Sequence, residues 1–185
     1  MSGDARLVAV ERETARHMLA SLAYRTQKAL RDAPPSFADF NAGSDVRTPR
    51  ELVRHMASVI GYARTYFIGG IYTPSALPTF EHEIERFHEN VSDLAAHLKA
   101  GTALREITIT QLLQGPITDA LTHAGQLAML RRMAGSPVAS ENFIFAEISA
   151  DNLGSDQPRP AAPDSLMIGK VIHKLWRFSA WMRRR

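Results

Sequence analysis

The feature of this sequence that most constrains its fold is an apolar seam between residues 80 and 98. Residues spaced by three and four positions share one face of an α-helix. The seam follows that spacing over its whole length, at Phe80, Ile84, Phe87, Val91, Leu94 and Leu98. A seam this long has to be buried against other helices, with the intervening charges outward. It predicts a helix that Thr79 caps and Gly101 ends, within a helical bundle.

A second helix has the clearest start signal in the chain. Thr48 supplies the cap, Pro49 takes the first helical position, and Glu51 can reach back to the cap amide. Gly69-Gly70 is expected to end this helix. Its apolar face comprises Leu52, Met56, Val59, Ile60 and Ala63.

Two more helices are predicted on either side of this pair. The first runs from about residue 11 to residue 31 and stops at Pro34-Pro35. The fourth begins between residues 108 and 116 and stops at Gly135-Ser136-Pro137. Pro116 is either a first-turn proline or a kink in a longer helix, and the sequence leaves both interpretations open.

Residues 136–164 are rich in proline, glycine, asparagine and aspartate, which predicts mostly irregular structure. ENFIFAEISADN is the only ordered-looking part of this segment, and its sequence leaves its type open. A last amphipathic segment covers residues 165–185, with an apolar side formed by Trp176, Phe178 and Trp181. We find no convincing strand. The prediction is an all-α four-helix bundle with an additional C-terminal helical segment, forming a single domain over residues 1–185.

The composition excludes several kinds of chemistry. The chain has no cysteine, so disulfides, thiolate metal ligands and a cysteine nucleophile are ruled out, and a metal would be held by nitrogen and oxygen. There is no phosphate-binding loop of the Walker type and no nucleophile elbow. The net charge of +3 is a mild excess that demands no nucleic-acid partner. No signal peptide or membrane-spanning stretch is recognised, so a cytoplasmic protein without a membrane partner is expected.

Asp119 and His123 are the first candidate functional residues. Four residues apart on one helix, they lie on the same face and can point at one ion. His55, which borders the apolar face of the second helix, can supply a third ligand. Three protein ligands with a position left for water are typical of a catalytic metal site. Gln126 lies close to the same face and is either a hydrogen-bonding partner of the site or a packing residue.

Each of these residues also has an ordinary structural interpretation. A histidine beside an apolar face is common in protein cores, and an acid four residues before a histidine can simply stabilise a helix. Three histidines on the charged third helix are expected to be solvated, namely His82, His88 and His97. Four boundary residues can line a pocket over the metal but need no function: His17, Tyr24, Tyr62 and Tyr66.

Two segments resemble the DinB/YfiT-like metalloenzyme family. TPRELVRHMASVIGYARTYF is similar to the second helix of that family. DALTHAGQLAMLRRMAGSPV is similar to its fourth helix, where a ligand-xxx-His pair precedes a Gly-Gln sequence and a leucine-arginine stretch. The family is a four-helix bundle that holds a divalent metal with three side chains, and its members commonly form dimers. The resemblance therefore implies His55, Asp119 and His123 as metal ligands and a homodimer as the assembly.

The sequence departs from the family pattern in two places. Asp119 stands where a histidine is usual, and the sequence His-Ala-Gly-Gln replaces the usual His-Arg-Gly-Gln. The family metal is often zinc or nickel. Zinc or nickel is therefore the expected metal. Manganese or iron is the alternative, because a carboxylate in place of an imidazole makes the site harder and more anionic.

The resemblance implies a metal-dependent enzyme that acts on a small molecule. Characterised relatives include transferases and isomerases that use a low-molecular-weight thiol, and general zinc chemistry adds hydrolysis. The alternative is a non-catalytic stress-response or binding bundle that retains the fold. A third hypothesis is a basic surface-binding protein that uses the arginines at positions 183–185.

Overall fold

The computed structural model describes residues 3–160, and helices dominate this part of the chain. The α-helices are α1 (Gly3–Leu30), α2 (Pro49–Ile68), α3 (Phe80–Lys99), α4 (Ile109–Leu112) and α5 (Thr118–Met133). No β-strand occurs in the described residues. The all-α prediction is confirmed for this part, whereas the C-terminal segment predicted over residues 165–185, with its aromatic and arginine residues, lies outside it.

Contacts divide the chain into two units. The larger unit comprises Met1–Val138 and Ile148–Gln157 and contains α1 to α5. Among the described residues, the second unit comprises Ala139–Glu147 and residues 158–160, and it carries a short 3-10 helix over Phe143–Phe145. The expected irregular structure after residue 136 is confirmed as far as residue 160. The single domain stays a prediction.

The long helices of the larger unit pack as a ring. α2 packs on α3, α3 on α1, α1 on α5, and α5 on α2. Each helix therefore covers two neighbours, and the apolar faces meet in a common core. Fully buried members of that core come from all four helices, for example Leu19, Met56, Phe87 and Leu127. The ring brings α2 and α5 side by side, which is the placement that the candidate site needs.

The structure confirms the predicted limits of α2 and α3. The backbone N–H of Glu51 donates to Thr48 Oγ1 at 3.3 Å, and Glu51 Oε2 accepts the Thr48 N–H at 2.9 Å, so the capping box is complete. Thr79 caps α3 by accepting the backbone N–H of His82. Gly69 and Gly101 end the two helices with φ of 80° and 71°, a region that favours glycine.

α1 begins eight residues earlier than the prediction of about residue 11. Between residues 5 and 14 nearly every residue is exposed. An apolar stripe is therefore absent from this part of the helix, and the periodicity on which the prediction depends cannot detect it. The segment consists mainly of alanine, arginine, glutamate and aliphatic residues, and alanine, arginine and glutamate have high helix propensity.

The structure resolves the alternatives for Pro116 in favour of a kink. Thr108 caps α4 with Gln111 in a second capping box, and the chain then forms a π-helical turn over Leu113–Ile117. Gly115 leaves the helical region in this turn, with φ −89° and ψ −105°. Pro116 has no N–H to donate, which explains why the regular ladder breaks here. The ladder resumes in α5.

Arg131 ties the end of α1 to the end of α5. Its side chain is buried, and it donates to the carbonyl oxygens of Ala29 at 2.9 Å, Arg31 at 3.0 Å and Ser136 at 2.8 Å. The last carbonyls of an α-helix have no partner within the helix. Arg131 is the hydrogen-bond partner of such a carbonyl at the end of α1, and its guanidinium lies over the ring of Phe37. These contacts hold the end of α5 against the end of α1.

The prediction that the histidines of α3 are solvated is wrong for His88. His82 is exposed and His97 is half-buried on the ring of Phe67, but His88 is only 5% exposed. Its Nδ1 lies 2.7 Å from the carbonyl oxygen of Leu153, to which it donates. The physical reason is that α3 packs on both α1 and α2 and therefore buries a wider face than its apolar seam.

We expect His88 to make stability depend on pH. Burial lowers the pKa of His88 below its ordinary value of 6.5. Below that value the unfolded chain binds the proton more readily than the folded one, so stability falls as the pH drops, by at most about 1.4 kcal/mol per pH unit for one group. Urea unfolding of chelator-treated protein between pH 7.5 and pH 5 should show this slope. His88→Gln should reduce the slope, whereas the exposed His82→Gln should not, and equal slopes in all three proteins would contradict the prediction.

Candidate metal centre

α2 and α5 bring His55, Asp119 and His123 together. Each offers one ligand atom, and these atoms all lie within 4.8 Å of one another. His123 Nε2 is 3.4 Å from Asp119 Oδ1, and the rings of His55 and His123 meet edge to face with centroids 4.8 Å apart. All three residues singled out in the sequence therefore belong to one cluster that can hold a metal ion.

The π-helical turn sets the position of Asp119. α5 begins at Thr118, whose hydroxyl donates to the carbonyl oxygen of Leu113 across the turn at 2.7 Å. Asp119 therefore lies in the first turn of α5, where the helix dipole favours a carboxylate. Its side chain is half exposed, whereas that of His123 is one-tenth exposed. The cluster thus opens to solvent on the side of the carboxylate.

Gln126 determines which nitrogen of His123 is available. Its Oε1 lies 2.9 Å from His123 Nδ1. Because an amide oxygen only accepts hydrogen bonds, Nδ1 carries the hydrogen and Nε2, the nitrogen beside Asp119, keeps its lone pair. This is the role of the outer partner in known metal sites, where a second hydrogen bond orients the ligating imidazole. Of the two interpretations of Gln126, contact with the site is the one observed.

His55 is set up to remain neutral. Burial lowers its pKa from the ordinary value of 6.5, and the positive charge of Arg47 and the nearby His123 act in the same direction. Asp119 opposes these effects but is outweighed. A neutral imidazole has a free lone pair at neutral pH, which is the state that metal binding requires.

The donor set fits a divalent ion. Two imidazoles and one carboxylate hold zinc in known catalytic sites and also suit nickel, manganese and iron. With bonds of about 2.0–2.1 Å, two ligand atoms of a tetrahedral ion lie about 3.3 Å apart. The 3.4 Å between His123 Nε2 and Asp119 Oδ1 matches that separation, whereas the full spread of the three ligand atoms, up to 4.8 Å, means that the side chains would have to draw closer to reach one ion.

A cleft of 770 Å³ opens in front of the cluster. His55 and Asp119 are part of its lining. Its other walls combine apolar and aromatic residues with hydroxyl and amide groups, namely Ser58, Val59, Tyr62, Tyr72, Gln114, Gly115, Pro116, Thr118 and Thr122. The Tyr62 hydroxyl is hydrogen-bonded to that of Tyr66. A pocket of this size with a few convergent polar groups is typical of a small-molecule site.

Tyr72 forms one wall because α2 contains a glycine beneath it. A Cβ on Gly61 would overlap the ring of Tyr72, so only glycine leaves room for the ring against the helix. The Tyr72 hydroxyl accepts a hydrogen bond from Asn90 Nδ2 at 2.8 Å, and the same amide donates to the carbonyl oxygen of Ala57. The connection after α2 is thereby folded back over the helix that carries His55.

A second cleft, of 470 Å³, adjoins the first at His55. His55 and Ser58 line both clefts. The remaining residues of the second cleft carry most of its charge, namely Asp45, Val46, Arg47, Glu51 and Arg54. A groove of 620 Å³ shares Val46 and Arg47 with this cleft and reaches Gln126 and the exposed Met129 of α5. The loop before α2 thus runs along the edge of the site.

Sequence reasoning missed several residues around the site. Ser58, Tyr72, Arg47 and Arg54 line the clefts but were not singled out. Ser58 lies three residues after His55 on the same helix face, so helical spacing contains a signal for it. Tyr72 and Arg47 lie in loops, where no such periodicity exists. Of the other boundary residues, Tyr62 lines the cleft, Tyr24 is buried in the core and His17 is exposed.

Comparison with known proteins adds no identification. No protein-family model, no curated protein and no solved structure matches this chain. Within residues 3–160, no helix has the length and apolar character needed to cross a membrane. The function therefore has to be argued from the site itself.

Proposed function

We propose that His55, Asp119 and His123 hold a divalent metal ion and that the protein is a metal-dependent enzyme acting on a small molecule. The observation that carries the proposal is the convergence of three ligand atoms from two helices, within 4.8 Å, where two of the three residues line an open cleft. A closed structural site would have four protein ligands. The resemblance in α2 and α5 supports a DinB/YfiT-like bundle with zinc, nickel, manganese or iron as its metal.

Each residue around such a site would have a separate role. His123 is oriented by Gln126, His55 is kept neutral by burial, and Asp119 supplies the negative charge that partly balances the ion. When bound, the ion would supply Lewis acidity, which lowers the pKa of a water molecule or a thiol entering from the cleft. The cleft walls then position the rest of the substrate.

Transfer of a thiol sulfur, isomerisation and hydrolysis are all compatible with this arrangement. The first two come from the resemblance, together with a low-molecular-weight thiol as cosubstrate and a homodimer as the assembly. Hydrolysis follows from general metal chemistry.

The alternative is a non-catalytic stress-response or binding bundle. One observation favours it: Asp119 and His123 are four residues apart on α5 and 3.4 Å from each other, so they also form an ordinary helix-stabilising pair. Such a pair needs no metal. The alternative therefore predicts a protein that binds no ion at the cluster.

Elemental analysis of protein purified without a metal-affinity tag distinguishes the two. We expect close to one equivalent of a transition metal in the wild-type protein and less than about a tenth of that in His123→Ala, because losing a direct ligand should cost more than the roughly 10–100-fold in affinity that losing an outer hydrogen-bonding partner costs. The matched control is His17→Ala, which removes an exposed histidine of α1. If the wild type holds no metal and takes up none from zinc, nickel or manganese solutions, the enzyme proposal fails and the non-catalytic bundle stands.

A further inference from the structure

The cleft beside His55 contains a guanidinium that the fold does not use. Within residues 3–160, Arg47 makes no hydrogen bond and no ion pair, although most other arginines near the site are engaged. It lines both the 470 Å³ cleft and the adjoining groove. His55 lines the same 470 Å³ cleft, so Arg47 and one of the candidate metal ligands share a wall of it.

We infer that the substrate of the metal centre carries a carboxylate and that Arg47 binds it. The inference rests on the proposed function and names the class of molecule that the site accepts: a small bifunctional compound with a metal-binding atom at one end and a carboxylate at the other. A guanidinium presents two parallel N–H donors that match the two oxygens of a carboxylate. Arg47 is therefore a specificity-determining residue.

The neighbouring acid on α2 leaves Arg47 available. Glu51 lines the same cleft, but its Oε2 already accepts hydrogen bonds from the backbone N–H of Thr48 at 2.9 Å and from the Thr48 hydroxyl at 3.1 Å. This capping box directs the carboxylate at the start of α2. Glu51 is therefore engaged in capping the first turn of α2. It forms no ion pair with Arg47 in the described part of the chain.

Arg54 adds a second positive charge to the cleft. Its Nε donates to Glu83 Oε1 at 2.8 Å, and Arg86 donates to the other oxygen of the same carboxylate at 2.7 Å. One negative charge is thus shared by two guanidiniums, and a net positive charge remains on this side of the cleft. The terminal nitrogens of Arg54 make no hydrogen bond in the described part of the chain.

Two acidic side chains also line the cleft. Asp45 and Glu51 share its lining with Arg47 and Arg54. A carboxylate attracts a cation, so the competing possibility is a ligand whose remote end is positively charged.

The test uses three small thiols that differ in the group remote from sulfur. The protein is loaded with cobalt(II), and the thiolate-to-cobalt absorption band is titrated with 3-mercaptopropionate, 2-mercaptoethanol and cysteamine, which carry a negative, a neutral and a positive end. Because the three thiols differ in acidity, the quantity compared is the Kd of each thiol in Arg47→Gln divided by its Kd in the wild type. Arg132→Gln, which removes an exposed arginine of α5, is the matched control.

We expect Arg47→Gln to weaken 3-mercaptopropionate about tenfold and to leave 2-mercaptoethanol within about twofold, because only the carboxylate loses a charge-assisted hydrogen bond. Arg47→Lys should recover part of the loss and Arg132→Gln should change nothing. Equal ratios for 3-mercaptopropionate and 2-mercaptoethanol would overturn the inference while leaving the metal site intact. A larger loss of cysteamine affinity in Asp45→Asn than of 3-mercaptopropionate affinity in Arg47→Gln would overturn it in favour of Asp45. Failure to bind cobalt would instead refute the proposed function.

Discussion

Zinc at about a thousandfold excess over its Kd should raise the free energy of unfolding of the wild-type protein by about 4 kcal/mol. The increment arises because His55 on α2 and the Asp119–His123 pair on α5 meet only in the folded chain. An ion that binds the native state and not the unfolded one stabilises it by mass action. Urea unfolding with zinc and with chelator gives the difference directly.

Asp119→Ala should abolish most of this increment, and Asp119→His should retain it. An imidazole at position 119 can replace the carboxylate as a zinc ligand, whereas alanine cannot. The matched control is Glu85→Ala, which removes an exposed carboxylate of α3 and should keep the full increment. An equal response to zinc in Asp119→Ala and the wild type would place the bound ion somewhere other than this cluster.

Glu83→Ala is expected to lower the free energy of unfolding by about 3–5 kcal/mol, the range for removing one partner of a buried ion pair. The side chain of Glu83 is completely buried. It accepts hydrogen bonds from Arg54 at 2.8 Å, Arg86 at 2.7 Å and the backbone N–H of Leu77 at 2.8 Å. Alanine would leave two partly buried guanidiniums and one amide without their acceptor.

Glu83→Ala should also disturb the candidate metal centre. Leu77 belongs to the connection between α2 and α3 that carries Tyr72, and Arg54 is the neighbour of His55 on α2. Urea unfolding at neutral pH measures the stability, with the exposed Glu81→Ala as the control on the same helix. The stability loss in Glu83→Gln should lie between those in Glu83→Ala and Glu81→Ala, because the amide oxygen still accepts hydrogen bonds but carries no charge. A loss below about 1 kcal/mol in Glu83→Ala would show that the cluster behaves as a surface ion pair.

Local signals were sufficient for much of the fold. Thr48, Pro49 and Glu51 form the capping box that their order predicts, and the seam of α3 is buried as its spacing predicts. These features involve residues within one or two helical turns of each other, so the chain needs no distant contact to specify them. The sequence did not predict the start of α1, because the exposed helical residues there show no apolar periodicity.

The candidate site also combines a local relation, which the sequence shows, with a long-range one, which it does not. Asp119 and His123 are related by helical spacing, which any α-helix would satisfy. His55 is 64 positions before Asp119, and only the packing of α2 against α5 brings the two into one cluster. The sequence contains no local signal for that proximity, and the resemblance supplied it.

By itself, the sequence determined the main helices, their order and the two candidate ligands that share a helix, because these depend on periodicity and on caps a few residues apart. The tertiary structure decided the rest. It buried His88 between helices, admitted Tyr72 above Gly61, and left Arg47 free beside His55. Each of these depends on which surfaces meet and which polar groups find partners, and both are properties of contacts between residues far apart in the chain.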